Sequence, residues 1–168
     1  MKFRARSARG FTYLELLVVV GIIGVAAAVS IPALNNAVER NRVISASELV
    51  AAQFREARLS AITRNRTFRL RFDCADGALR VLVVTGTPAV DNAADRCTTR
   101  QPEDGTPVYL PPSVSLGEQP PPSLDVNGRG LVTAAGGNVL PQSISITNGA
   151  YTRTLVVSAT GRISTPAS

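Results

Sequence analysis

The 168-residue chain has room for one ordinary domain plus an anchor, and it carries a formal charge of +6 with one Lys, seventeen Arg, and neither His nor Trp. Without His it lacks the commonest general base and the commonest metal ligand, so neither an enzyme nor a metal or cofactor site is expected. Lys2, Arg4, Arg6 and Arg9 supply four of the positive charges within the first ten residues, and the remaining +2 is a weak basis for nucleic-acid binding through bulk charge.

Leu16 to Leu34 contains no charged residue, and with Phe11 to Leu14 the run is long enough to cross a bilayer as one helix. The basic segment before it is expected to stay cytoplasmic, which puts the C-terminal body outside. Glu15 interrupts the run near its start, and a charge at the bilayer centre would cost about 2.5 to 3.5 kcal/mol. A secretory signal has its small-residue cleavage site after the apolar region. Here Gly10 falls before it, so cutting at Gly10 would remove the basic residues and leave the apolar helix on the mature chain.

That arrangement, in the stretch GFTYLELLVVVGIIGVAAAVSIP, resembles the leader of type IV pilins and type II secretion pseudopilins, with Tyr13 in place of the usual aliphatic residue. The resemblance implies cleavage between Gly10 and Phe11 by a prepilin peptidase, followed by N-methylation of Phe11. It also implies a single-pass chain in the bacterial inner membrane, passed by an assembly platform into a filament whose core is a bundle of such helices. Glu15 would then pair with the N-terminal amine of a neighbouring subunit, a pairing that makes a buried carboxylate tolerable and fixes axial register. Gly21 and Gly24 lower helix propensity and Pro32 removes a backbone donor. The resemblance implies a helix break around Gly24 and Pro32 on assembly.

Beyond Pro32 the helical period continues and turns amphipathic. Val43, Ala46, Val50, Phe54, Ala57 and Ala61 form one apolar stripe, with Glu48, Arg55 and Arg58 away from it. Asn65 marks the end. The segment SELVAAQFREARLSAITRNRTFRLRF resembles the helix end and first strand of GspH/FimT-type minor pilins, through Leu49, Ala57, Arg58, Ala61, Ile62, Arg64 and Asn65.

The rest reads as strands. Thr67 to Phe72 alternates, with Phe68, Leu70 and Phe72 on one face, and Asp76-Gly77 turns the chain into a second strand over Leu79 to Val84. Residues 85–107 are polar and turn-rich, and residues 111–122 hold five prolines and read as a surface connection that cannot be a central strand. Further strands are expected at 124–126, 131–133, 143–147 and 150–157, with an Asn148-Gly149 turn between the last two, and a short one after Gly161. If this body is exported, Cys74 and Cys97 are expected to form a disulfide pinning the long loop to the first strand. The expected fold is α+β and pilin-like, one long helix on a mostly antiparallel sheet or sandwich. Its parts are a leader (1–10), a membrane and filament-core helix (11–34), its amphipathic continuation (35–66) and a β-rich domain (67–168).

Three functions remain open on these residues. The first is a structural minor pilin incorporated into a type IV pilus or priming it; the second is a type II secretion pseudopilin of the GspH kind. The third is DNA uptake, because the terminus LVVSATGRISTPAS resembles the Gly-Arg-x-Arg element of DNA-binding FimT-type pilins. Gly161 and Arg162 match that element, while Ser164 stands where its second Arg would be. Arg129 and Arg153 are candidates to complete a patch in space, and solvated turn arginines are the competing reading.

Overall fold

The computed structural model describes residues 10–117, 123–135 and 140–166. The basic residues of the expected leader and the prolines at 120–122 lie outside the described residues. The chain divides into two compact units, Met1–Val38 and Glu39–Ser168.

Helix α1 runs from Tyr13 to Arg64. In the first unit its large apolar side chains face outward, among them Leu14 at 73% and Val25 at 70% exposure, as does Phe11 just before the helix at 73%. By length and composition this helix can cross a membrane. The backbone stays helical through Gly24 and Pro32. The break is expected on assembly, and here two glycines (about 1 kcal/mol each) and one proline (about 3 kcal/mol) weaken a long helix without ending it. α1 ends as expected at Asn65, which takes the left-handed conformation (φ 48°) while the Arg66 N–H closes on the Ala61 carbonyl at 3.1 Å.

In the second unit α1 meets two antiparallel sheets. The first contains β1 (Phe68–Arg71), β2 (Ala78–Val83), β3 (Val108–Tyr109), β5 (Leu124–Val126) and β6 (Val132–Ala134), in the order β3-β2-β1-β5-β6. The second contains β4 (Ser115–Leu116), β7 (Gln142–Thr147), β8 (Thr152–Val157) and β9 (Ile163–Ser164), in the order β4-β7-β8-β9. The fold is α+β and pilin-like. The α1 stripe from Val43 to Ala61 is buried as expected, against Phe68, Leu70, Val81, Leu124, Ile144, Ile146, Leu155 and Val157 from both sheets.

Two expectations shift. The strand expected over 150–157 starts at Thr152, because the Asn148 side-chain oxygen accepts the Ala150 and Tyr151 N–H groups and holds those residues in the turn. Within the proline-rich connection Ser115 and Leu116 pair with Thr147 and Ile146, forming an edge strand that a central position would not have allowed.

β2 is buried along its whole length, on both faces. One face meets the core through Leu79, Val81 and Val83. The other lies under the 85–107 loop, which contains a short helix α2 (Pro88–Asp91) and a 3₁₀ turn (Ala94–Cys97). Arg69 and Arg71, on that outer face of β1, donate to the carbonyls of Asp91 and Ala93 at 3.1 Å. The Cys74–Cys97 disulfide ties the loop to the end of β1. Beneath it the Arg96–Asp104 ion pair is almost fully buried, at 3% and 1% side-chain exposure, and Arg96 also donates to the Val83 carbonyl at 2.8 Å.

Replacing both cysteines with serine is expected to lower unfolding stability by about 3 kcal/mol through the loop entropy released. Asp104→Ala, which strands a buried guanidinium, is expected to cost about 3–5 kcal/mol. Urea denaturation of the detergent-solubilised chain checks both, and a loss under 1 kcal/mol for either would contradict the packing described.

Candidate functional site

The N-terminal residues come first. Thr12 precedes α1, and its hydroxyl accepts the Glu15 N–H at 3.3 Å while its carbonyl accepts the Leu16 N–H at 3.2 Å. Thr12-x-x-Glu15 thus has the spacing of a capping box, a signal legible in the sequence that the membrane reading passed over. Glu15 also sits in the first turn, where the helix dipole favours a negative charge. Gly10 and Phe11 are exposed.

The charges of the second unit divide unevenly. Its acidic residues are mostly consumed by arginines near β1, β2 and the loop. Asp125 holds Arg69 through two bonds at 2.6 and 2.8 Å, and Asp73 holds Arg71 at 2.9 and 2.8 Å. Asp76 pairs with Arg80 at 2.5 Å, and Glu103 with Arg66. Register sets Arg71 opposite Arg80, a like-charge contact that the two local aspartates relieve. Asp91 caps the turn after β2, accepting the Thr85 N–H at 2.8 Å, the Thr85 hydroxyl at 2.9 Å and the Gly86 N–H at 3.0 Å.

What remains are arginines without an acidic partner among the described residues: Arg64 and Arg100, which donate to the Glu103 and Gly105 carbonyls, and Arg40, Arg55, Arg58, Arg129, Arg153 and Arg162. Of these, Arg55 and Arg153 share a groove with Ile163 of β9, and Arg58 reaches Gly161 just before it. Arg153 projects from β8 into a groove of about 220 Å³ shared with Ser47, Glu48, Ala51, Arg55 and Ile163. That volume falls below the ~300–1,000 Å³ of small-molecule sites.

Arg129 and Arg162 flank a backbone contact. Gly130 and Gly161, both at positive φ (75° and 74°), face each other so closely that a β-carbon on Gly161 would lie 2.9 Å from the Gly130 carbonyl. The Val132 N–H donates to the Ala159 carbonyl at 2.9 Å and locks the two turns together. Arg129 and Arg162 are each next in sequence to this contact and exposed, while Arg153 lines the groove that includes Ile163. Arg58, which the helical period sets away from the core, instead runs into the contact. Its Nε would lie 3.0 Å from a β-carbon on either glycine and is buried without a hydrogen-bond partner. Ser164, in β9 opposite Val156, is exposed.

A family model described as "Type II transport protein GspH" matches residues 46–161, more than half of the chain. The chain belongs to the GspH family. The match ends at Gly161, so Arg162 lies just past it. Two crystal structures of the type IV minor pilin FimU from Pseudomonas aeruginosa are similar in fold. One is 18% identical, covering 77% of this chain and 91% of that one with a TM-score of 0.51. In the other crystal form the figures are 16%, 73%, 91% and 0.46. No curated protein matches the chain. This GspH-family chain is thus a type IV pilin-like minor pilin or pseudopilin, with a helix of membrane-spanning length and a disulfide in its β-rich unit.

The acidic residues of this unit set its response to pH. The hydrogen bond from Arg71 holds the Asp73 carboxyl below its ordinary range, against the opposing effect of partial burial. For Asp91, burial pushes upward but is outweighed by the Thr85 and Gly86 hydrogen bonds and by the charge of Arg69, and its pKa is also lowered. Both stay ionised in the folded chain at pH values where the unfolded chain, with aspartate near 3.9, has taken up protons. Their stabilisation is therefore complete above about pH 5 and declines as pH falls through and below about 4. Asp91→Asn is expected to lower stability at pH 7 by about 1–3 kcal/mol and to flatten the acid slope. Denaturation midpoints across that pH range test it; an unchanged slope would count against the role of Asp91.

Proposed function

We propose that this chain is a structural minor pilin, incorporated into a type IV pilus or priming its assembly after residues 1–10 are removed. The observation that carries the reading is the outward-facing apolar surface of α1 in the first unit, with Glu15 as its one charge between Phe11 and Leu34. Such a surface is stable only in lipid or against other apolar helices. Prepilin peptidase would cut between Gly10 and Phe11 and methylate the new amine. The mature chain would wait in the inner membrane with its disulfide-bonded unit outside the cytoplasm, a placement the Cys74–Cys97 bond favours. The assembly platform would then move it into the helix bundle.

There Glu15 pairs with the methylated Phe11 amine of a neighbouring pilin and sets register among contacts that are otherwise apolar. Local unwinding of α1 around Gly24 and Pro32 belongs to that assembled state. The type II secretion pseudopilus uses the same chemistry, and the family model's description supports that second setting. Its filament would be periplasmic.

The intact mass of chain produced with prepilin peptidase is expected to fit a polypeptide beginning at methylated Phe11; retention of residues 1–10 would contradict the proposal. Glu15→Gln keeps the backbone cap from Thr12 and removes the charge. It is expected to abolish filament incorporation while the purified chain keeps its denaturation midpoint. Normal incorporation would reduce Glu15 to a helix-start residue. Scoring piliation and protein secretion in the same variant separates the two filaments.

A DNA-binding reading is supported by one observation, that exposed Arg129 and Arg162 are the sequence neighbours of Gly130 and Gly161, whose turns meet. Anisotropy with a fluorescent single-stranded oligonucleotide is expected to give saturable binding at low salt, and Arg162→Ala should weaken it and reduce the salt slope by about 1. No binding at low salt would end this reading.

A further inference from the structure

Arg58 differs from the other helix arginines in where its guanidinium lies. Its neighbours on the helix are ordinary: Ala57 and Ala61 are buried in the core and Leu59 is exposed. Its guanidinium, however, is held where two turns meet. A β-carbon on Gly130 would lie 3.0 Å from Arg58 Nε and 3.5 Å from its Nη2. One on Gly161 would lie 3.0 Å from Nε and 3.3 Å from Cδ. Absence of both β-carbons makes the slot through which Arg58 passes.

The local polar groups are already spent on one another. Gly130 N–H donates to the Asn127 carbonyl and Gly161 N–H to the Ser158 carbonyl, at 2.8 and 2.9 Å. Asn127 Oδ1 takes the Arg129 and Leu131 N–H groups at 3.0 Å. The Ser158 hydroxyl takes the Arg162 N–H at 3.1 Å. Arg58 gains nothing from these turns: Nε is buried and unpaired, and no carboxylate among the described residues pairs with Arg58, Arg129 or Arg162.

Three guanidinium groups without a counter-charge, one of them held at a fixed place and two on the turns beside it, describe a site for an anion. The fixed group loses little side-chain freedom when it binds, and the planar fork matches two oxygens at once. We propose that Arg58, Arg129 and Arg162 form a binding site for one phosphate-type oxyanion, with Arg58 as the fixed ligand and the two turn arginines closing over it. The site goes beyond the DNA reading. A free phosphate and a phosphate within a nucleic-acid strand present the same oxygens, and the test distinguishes them.

The experiment uses the full chain in non-ionic detergent with ¹⁵N-labelled arginine, following side-chain Nε–H resonances during titration with inorganic phosphate and then with a thymidine oligonucleotide. Phosphate is expected to shift the Arg58 resonance saturably. Arg58→Lys, which keeps the charge and loses the fork and is read through the Arg129 and Arg162 resonances, and the exposed pair Arg129→Ala with Arg162→Ala, read through Arg58, should each raise the phosphate needed by about tenfold. The exposed pair keeps the test valid if Arg58→Lys perturbs the turns. An oligonucleotide that shifts the same resonance at lower concentration makes a strand the source. A shift by phosphate with no strand bound makes it a small anion and ends the DNA reading alone. An Arg58 resonance unmoved by both probes overturns the proposal, even if the oligonucleotide binds elsewhere. A glutamate-rich peptide matching phosphate in potency overturns it too, since the site would then select carboxylates.

Discussion

The second unit depends on how closely two sheets can approach one helix. Ala46, Ala57 and Ala61 are fully buried on α1, and their small side chains let strands from both sheets come against the helix surface. Phe54 fills the space between them, packed in the same cluster as Phe68, Leu70 and Ile144. A larger residue at any of the three alanines would force the sheets outward in a core packed to interior density. The same approach brings the 127–131 and 158–162 turns to the end of the helix, where only glycines leave room for Arg58.

Charge follows from this packing. The outer face of β1 and β2 cannot stay open, because the disulfide holds the 85–107 loop there. Arg69, Arg71, Arg80 and Arg96 are therefore partly or wholly removed from water, and each needs a carboxylate. That demand draws Asp73, Asp76, Asp104 and Asp125 to one side of the unit. Unmatched Arg55, Arg58 and Arg153 lie elsewhere, around Gly161 and Ile163. A weakly positive chain of net +2 beyond its first ten residues thus acquires a locally basic surface without any excess in its sequence.

Much of this was legible in the residues. The helix stripe, the alternating faces of β1, the Asn148-Gly149 turn and the disulfide each rest on a local pattern or on chemistry that distance in sequence does not hide. What escaped was non-local. β3 and β4 are two residues each and exist because Ala78 and Leu79, or Thr147 and Ile146, offer them a ladder. The second burial of β2 comes from a loop whose own sequence is polar. Arg58 looked solvated because helical period reports the angle around the axis, and not what a distant turn places over that angle. The Thr12-Glu15 cap was local and readable, but the apolar run around it drew attention to the membrane.

If Glu15 pairs as proposed, it serves two states without conflict. In the free chain its N–H is held by Thr12 and its charge lies in the first turn, where the helix dipole favours it. In a bundle, a neighbour's amine would meet the same carboxylate, and nothing about the cap has to be undone, because the cap uses the backbone while the pair uses the side chain. A register contact that leaves the helix start intact can form late, when the subunit enters the filament, without first unfolding what held the free chain. Between Phe11 and Leu34 the chain carries Glu15 as its one charge, while the second unit pairs Asp73, Asp76, Asp104 and Asp125 internally.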